Sequence, residues 1–89
     1  MITHVAIRWD GRIWSLPRPY RHHHVIETIS RLTGAKYIDC RDDNQDQGFL
    51  DDTGRYVNRV DGLAEALKNK QVKDENDIRH GMLFSEDLW

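Results

Sequence analysis

Val5, Ile7 and Trp9 alternate with His4, Ala6 and Arg8 near the start of the chain. That is the two-residue period of a strand with one buried face. Asp10-Gly11 follows, a two-residue hairpin signal because glycine tolerates positive φ. Residues 12–16 are then the return strand. A two-residue turn fixes the register, with Trp9 opposite Arg12, Ile7 opposite Trp14 and Val5 opposite Leu16. Val5, Ile7, Trp14 and Leu16 therefore share the candidate core face. Pro17 and Pro19 end the strand, stiffen the link and disfavour helix in the residue before each. A helix is predicted from near His22–His24. Val25, Ile29 and Leu32 fall at i, i+4 and i+7 with Ile26 beside them, and Gly34 is the C-terminal cap. Residues 36–41 read as a short strand with Tyr37, Ile38 and Cys40 as its bulky members.

Asp42-Asp43-Asn44-Gln45-Asp46-Gln47 is a polar, acidic loop. Gly48-Phe49-Leu50, the turn Asp51-Asp52-Thr53-Gly54 and Arg55-Tyr56-Val57 predict a second hairpin. Asn58 is a good N-cap, and Asp61 three residues on sits where negative charge is favoured. Val60, Leu63, Ala64 and Leu67 make an i, i+3, i+4, i+7 stripe, so a second helix is predicted to about Lys70. Residues 71–79 read as a loop and 81–84 as a last strand. The order ββ-α-β-ββ-α-β predicts an α+β domain over residues 1–89, a small, mainly antiparallel sheet with two helices packed on one face.

Composition narrows the function. Eighty-nine residues predict one domain, with 38% hydrophobic and 31% charged positions, patterned as a folded chain and not as a disordered one. A chain of this length buries only roughly 60–65% of its unfolded surface. Its thin core and three Trp residues make self-association an expectation. The net charge of −2 weakens any reading in which the whole surface grips duplex DNA or an acidic membrane. The single cysteine, Cys40, excludes an intramolecular disulfide and a Cys-rich zinc site, and it reads as a buried structural thiol. The opening residues lack a signal-peptide apolar core, and no apolar run reaches ~18–20 residues. A soluble protein of a reducing cytoplasm is expected.

The densest chemistry is Arg18-Pro19-Tyr20-Arg21-His22-His23-His24, with two guanidiniums, three imidazoles and a phenol running into a helix N-terminus. Free N–H groups there attract anions, and Arg forks suit phosphate or carboxylate oxygens. Arg18, Arg21, His22 and His23 are candidate phosphate contacts. Tyr20 or Trp14 is a candidate stacking ring, and Arg55 and Arg59 add charge or pair with Glu86 and Asp87. The competing reading is a solvated basic helix start. Adjacent helical residues point about 100° apart, so His22, His23 and His24 cannot all reach one ion from a regular helix, and no metal or cofactor is expected. Two of these histidines could instead act as general base and acid on a phosphodiester. The loop 42–46 is a poor calcium match, since the glycine comes one place late and Thr53 stands where the bidentate Glu belongs. Leu83-Phe84-Ser85-Glu86-Asp87-Leu88-Trp89 sets apolar residues around a Ser and two carboxylates. Ser85 is expected to cap a last helical turn, with Leu88 and Trp89 anchored in the core or in a neighbouring subunit.

Leu-Pro-x-Pro after the hairpin, Arg21-His22-His23, Gln47-Gly48-Phe49, Gly54-Arg55-Tyr56-Val57-x-Arg59, Gln71 and the segment Leu83 to Trp89 together resemble a family of small proteins encoded by tailed bacteriophages and prophages. The resemblance spans nearly the whole chain, and the acidic loop 42–46 is longer here than in that pattern. It implies a phage protein working in the host cytoplasm. Accessory phage proteins of this size counter host defence, several by enclosing a nucleotide immune signal such as a cyclic oligonucleotide or an ADP-ribose derivative. The leading expectation is accordingly a homo-oligomer that sequesters such a signal. The alternatives are a metal-independent phosphodiesterase using His22, His23 or His24, and an inhibitor that binds a host defence protein.

Overall fold

Asp10 and Gly11 both lie in the left-handed region, with φ of 54° and 70°. This turn folds β1 (Ile2–Trp9) straight back on β2 (Arg12–Pro17). The pairing is the expected one, with Trp9 opposite Arg12, Ile7 opposite Trp14 and Val5 opposite Leu16. α1 (His22–Thr33) follows and ends at Gly34, whose φ of 75° supplies the left-handed cap. The second hairpin is β3 (Gln47–Asp51) and β4 (Tyr56–Asn58). α2 (Arg59–Lys68) starts at once, with the Asn58 side chain accepting from the Asp61 N–H at 2.8 Å. The computed structural model describes residues 1–38, 46–78 and 81–89, the Asp77 side chain excepted.

Every pairing in the sheet is antiparallel, in the order β2-β1-β3-β4. Val5 lies opposite Phe49, and Phe49 opposite Val57, so these three share a face with Ile7. Both helices cover that face: Val25 and Ile29 of α1 and Ala66 of α2 join Val5, Ile7, Phe49, Val57 and Leu83 in one buried cluster. Each large apolar side chain there stabilises the fold by roughly 1.5–3 kcal/mol relative to exposure. The fold is thus α+β with both helices on one side. The other face carries Arg8 over the Tyr56 ring at 5.7 Å and a half-exposed Ile13.

Several local expectations need correction. Residues 36–38 form no strand; Ile38 turns into the core instead. The rest of that expected strand with Cys40, residues 42–45 of the acidic loop, and His80 lie outside the described residues. Residues 81–84 form no strand in the sheet, and Leu83 N–H instead donates to the Arg59 carbonyl at 2.9 Å. α2 ends at Lys68, and its phase differs from the apolar stripe: Val60 and Leu67 are exposed, while Arg59, Gly62 and Ala66 face inward. The cause is steric, because a Cβ on Gly62 would lie 3.1 Å from the Phe49 ring and 3.5 Å from Leu83. In α1, Val25 and Ile29 are buried as expected, but Leu32 is 69% exposed. Gln71, in the expected loop, acts as a piece of strand: its Oε1 accepts from Ile2 N–H at 2.7 Å and its Nε2 donates to Ile2 C=O at 2.9 Å.

Candidate functional site

Four separated stretches of the chain meet at the first turn of α1: Arg21 and His22, Gln47 to Phe49, Arg59, and Leu83 to Trp89. Arg21 is the N-cap residue, with extended backbone (φ −120°, ψ 171°). No carboxylate stands in the first turn. The His24 ring supplies part of the cap, its Nδ1 accepting from the Arg21 N–H at 2.9 Å. Among the described residues no main-chain partner is found for the N–H groups of His22 and His23, the first donors of the helix.

His22 turns inward. Its Nε2 donates to the Gly48 carbonyl at 2.7 Å, and its ring meets Phe49 edge-on at 5.1 Å. A carbonyl only accepts, so Nε2 carries the proton. Burial pushes the imidazole pKa down to about 4, helped by the Arg59 charge and opposed by the Gly48 bond. Gly48 has no alternative residue at this spot, since an added Cβ would collide with the Val57 carbonyl and the Tyr56 hydroxyl.

Arg59 is buried and holds two elements together. Its Nη1 donates to Leu83 C=O at 2.8 Å, and its Nη2 to Gln47 Oε1 at 2.7 Å. The guanidinium also lies 4.4 Å from the Phe84 ring centroid, a cation–π contact. Gln47 and Phe84 belong to the quoted motifs Gln47-Gly48-Phe49 and Leu83 to Trp89 but were not expected as site residues; the cue was the position of Gln47 directly before the buried pair Gly48-Phe49.

The segment 84–89 forms a short 3-10 turn, Ser85–Asp87. Asp87 caps it, Oδ2 accepting from Phe84 N–H at 3.0 Å, whereas Ser85 is buried inside the turn with its hydroxyl toward Glu86. Leu88 is buried and Trp89 half-buried, as anchoring requires. Arg21 clasps this turn: Nη2 donates to the Trp89 main-chain oxygen at 2.6 Å, and Nη1 lies 3.2 Å from Glu86 Oε1. Trp89 Nε1 donates in return to Tyr20 C=O at 2.9 Å. Partial burial works against the Glu86 charge, but its own N–H, Arg21 and Ser85 outweigh that and hold the carboxyl below its ordinary value.

The solvent side of the same turn carries Arg18, Tyr20 and His23, all exposed, with Arg21 and His24 half-exposed. Tyr20 stands edge-on to His24 at 5.4 Å, and His23 and His24 rings are 4.0 Å apart. Two candidates lie elsewhere. Trp14 sits on the helix-facing side of β2, its Nε1 donating to Trp9 C=O at 3.2 Å. Arg55 follows the second hairpin turn and pairs with Asp51 at 3.4 Å. A cavity of about 420 Å³ at the first hairpin turn, lined by Arg8, Trp9, Arg12 and Asp46 among others, includes none of residues 18–24.

Residues 1–89 match the family described as phage T4 y16D protein. The chain belongs to that family. This y16D family member is therefore a phage protein, and the match covers all four stretches that meet at α1. No curated protein and no solved structure matches the chain. Among the described residues of the y16D chain, no helix is long and apolar enough to cross a membrane, and no three His, Cys, Asp or Glu side chains converge as a metal set.

Proposed function

We propose that this phage protein binds and sequesters a nucleotide-derived immune signal in the host cytoplasm, with the start of α1 as its binding surface. One observation carries the reading. The first turn of α1 contains no acidic residue, and Arg18, Tyr20 and His23 are exposed in and just before it, beside Arg21, whose guanidinium already meets oxygens of Glu86 and Trp89. Helix N–H groups and guanidiniums favour phosphate oxygens, and Tyr20 offers a ring face at the same place. Arg59 and His22 support the surface from beneath. Trp14 and Arg55, at a distance from it, serve this reading only where a second copy brings them closer. Self-association fits the largely exposed Leu32 and Tyr37.

Binding is favoured over phosphodiester cleavage by His22. A buried imidazole whose proton is committed to Gly48 C=O is poorly placed to exchange protons with a substrate. The test is a thermal-shift screen of cyclic oligonucleotides and ADP-ribose derivatives, followed by denaturation and chromatography of the bound fraction. A shift abolished by Arg21→Ala in a folded protein, with intact ligand recovered, is the expected result. New products would replace sequestration with catalysis. No shift with any signal, and retention of a host protein from lysate, would replace it with protein inhibition.

A further inference from the structure

The segment 84–89 already does to the α1 start what an outside ligand would have to do. It brings oxygens to Arg21, the Trp89 main-chain oxygen at 2.6 Å from Nη2 and Glu86 Oε1 at 3.2 Å from Nη1. It also brings a flat bicyclic ring whose N–H donates to Tyr20 C=O at 2.9 Å. The Trp89 oxygen and ring belong to one residue, so an acceptor for a guanidinium and a donor for a carbonyl are presented together. A purine nucleotide has the same layout, an oxyanion at one end and a bicyclic N–H donor at the other.

The grip on Arg21 is incomplete. Nη1 is shut off from solvent and lies 3.2 Å from Glu86 Oε1, yet forms no hydrogen bond among the described residues. A buried donor without an acceptor is costly, and an oxyanion meeting Nη1 and Nη2 together removes that cost. Little has to move for the exchange. Leu83, Ser85 and Leu88 root the segment in the core, whereas the Glu86 side chain is 65% exposed and Trp89 is only half-buried.

We propose that Glu86 and Trp89 are an internal stand-in for a purine nucleotide: they occupy the phosphate position on Arg21 and the base position on the Tyr20 carbonyl. This rests on the binding reading above and adds the ligand class, a nucleotide whose base presents an N–H and which enters as Trp89 leaves.

Calorimetric titration with GMP, ribose 5-phosphate and inorganic phosphate tests it in the wild type and in Trp89→Ala, Trp89→Phe and Arg21→Ala. Removing the indole is expected to tighten GMP binding by about tenfold, the worth of one displaced hydrogen bond. Ribose 5-phosphate, which has no base, is expected to gain under about threefold. Trp89→Phe keeps the ring but lacks the N–H, preserves packing, and is expected to gain in the same order. Arg21→Ala is expected to lose all three. Weaker GMP binding in both Trp89 variants would make Trp89 a ligand contact and overturn the stand-in, while the Arg21-dependent thermal shift of the nucleotide signals would still uphold the binding reading. Equal gains for GMP and ribose 5-phosphate overturn the base assignment. Binding of none of the three by any variant overturns the stand-in, and the signal screen then decides the binding reading separately.

Discussion

His22 Nε2 lies 2.7 Å from the carbonyl oxygen of Gly48, and this one bond ties the first turn of α1 to the third strand. The buried neutral imidazole anchors this turn from beneath, while Trp89 and Glu86 hold Tyr20 and Arg21 from the side.

That imidazole makes stability depend on pH. Its pKa falls from 6.5 unfolded to about 4 folded, first through burial and then through the Arg59 charge. The folded state therefore binds fewer protons between those values. The contribution is fully present above pH 6.5 and is lost progressively as pH falls toward 4, by about 3 kcal/mol in total. Urea denaturation between pH 4 and 7 measures the slope. His22→Gln keeps a donor for Gly48 and removes the titration, so its slope is expected to flatten. Asp51 acts in a lower window, because the Thr53 hydroxyl, with the Arg55 and Thr53 N–H groups, holds its carboxyl at about 2. Its share is lost as pH falls from 3.8 toward 2.

Gly48→Ala is expected to destabilise by about 1–3 kcal/mol or more. Its Cβ would meet the Val57 carbonyl and lie 2.7 Å from the Tyr56 hydroxyl. Backbone cannot yield as a flexible side-chain tip can. Equilibrium unfolding checks the loss, and an unchanged midpoint would mean that β3 and β4 are not held this close.

Arg59→Met is expected to cost roughly 3 kcal/mol despite similar volume, because it removes the buried donor to Leu83 C=O and the bond to Gln47 Oε1. Arg59→Lys is not expected to restore it, since one ammonium cannot reproduce the fork. Thermal melts of the two variants settle this, and rescue by lysine would show that charge alone suffices.

Gln71→Glu keeps the acceptor for Ile2 N–H but replaces the Nε2 donor with an oxygen facing Ile2 C=O. A loss of about 1–3 kcal/mol at neutral pH is expected, smaller below the carboxylate pKa where a proton can bridge the two oxygens. Hydrogen exchange at the Ile2 amide reports the same bond locally.

The first hairpin was legible residue by residue, because a two-residue turn and strict alternation leave one register for Val5, Ile7, Trp14 and Leu16. The two caps at Gly34 and Asn58 were equally plain, each resting on local chemistry. The phase of α2 was not. Hydrophobicity favours Val60, Leu63 and Leu67, but the sheet beneath needs the missing side chain of Gly62 and the reach of Arg59. Gly81 to Phe84 shows the same limit, since a short apolar run suits a strand or a buried turn equally. At the site, local density marked the Arg18 to His24 cluster. That Arg21 and Arg59 would be met by oxygens of Trp89, Leu83 and Gln47 is long-range information, which no periodicity encodes.

Leu83 fills the gap between Phe49 and Gly62 and has no exposed surface. A ribosome delivers the four strands and two α-helices of the described residues before it delivers this residue. Without Leu83 the described strands and α-helices lack a side chain that is fully buried among them, so the interior is sealed by a residue that follows those elements in the chain. A nonsense codon shortly before position 83 would thus yield a chain that encodes the four described strands and both described α-helices but not this seal, an easy substrate for host proteases.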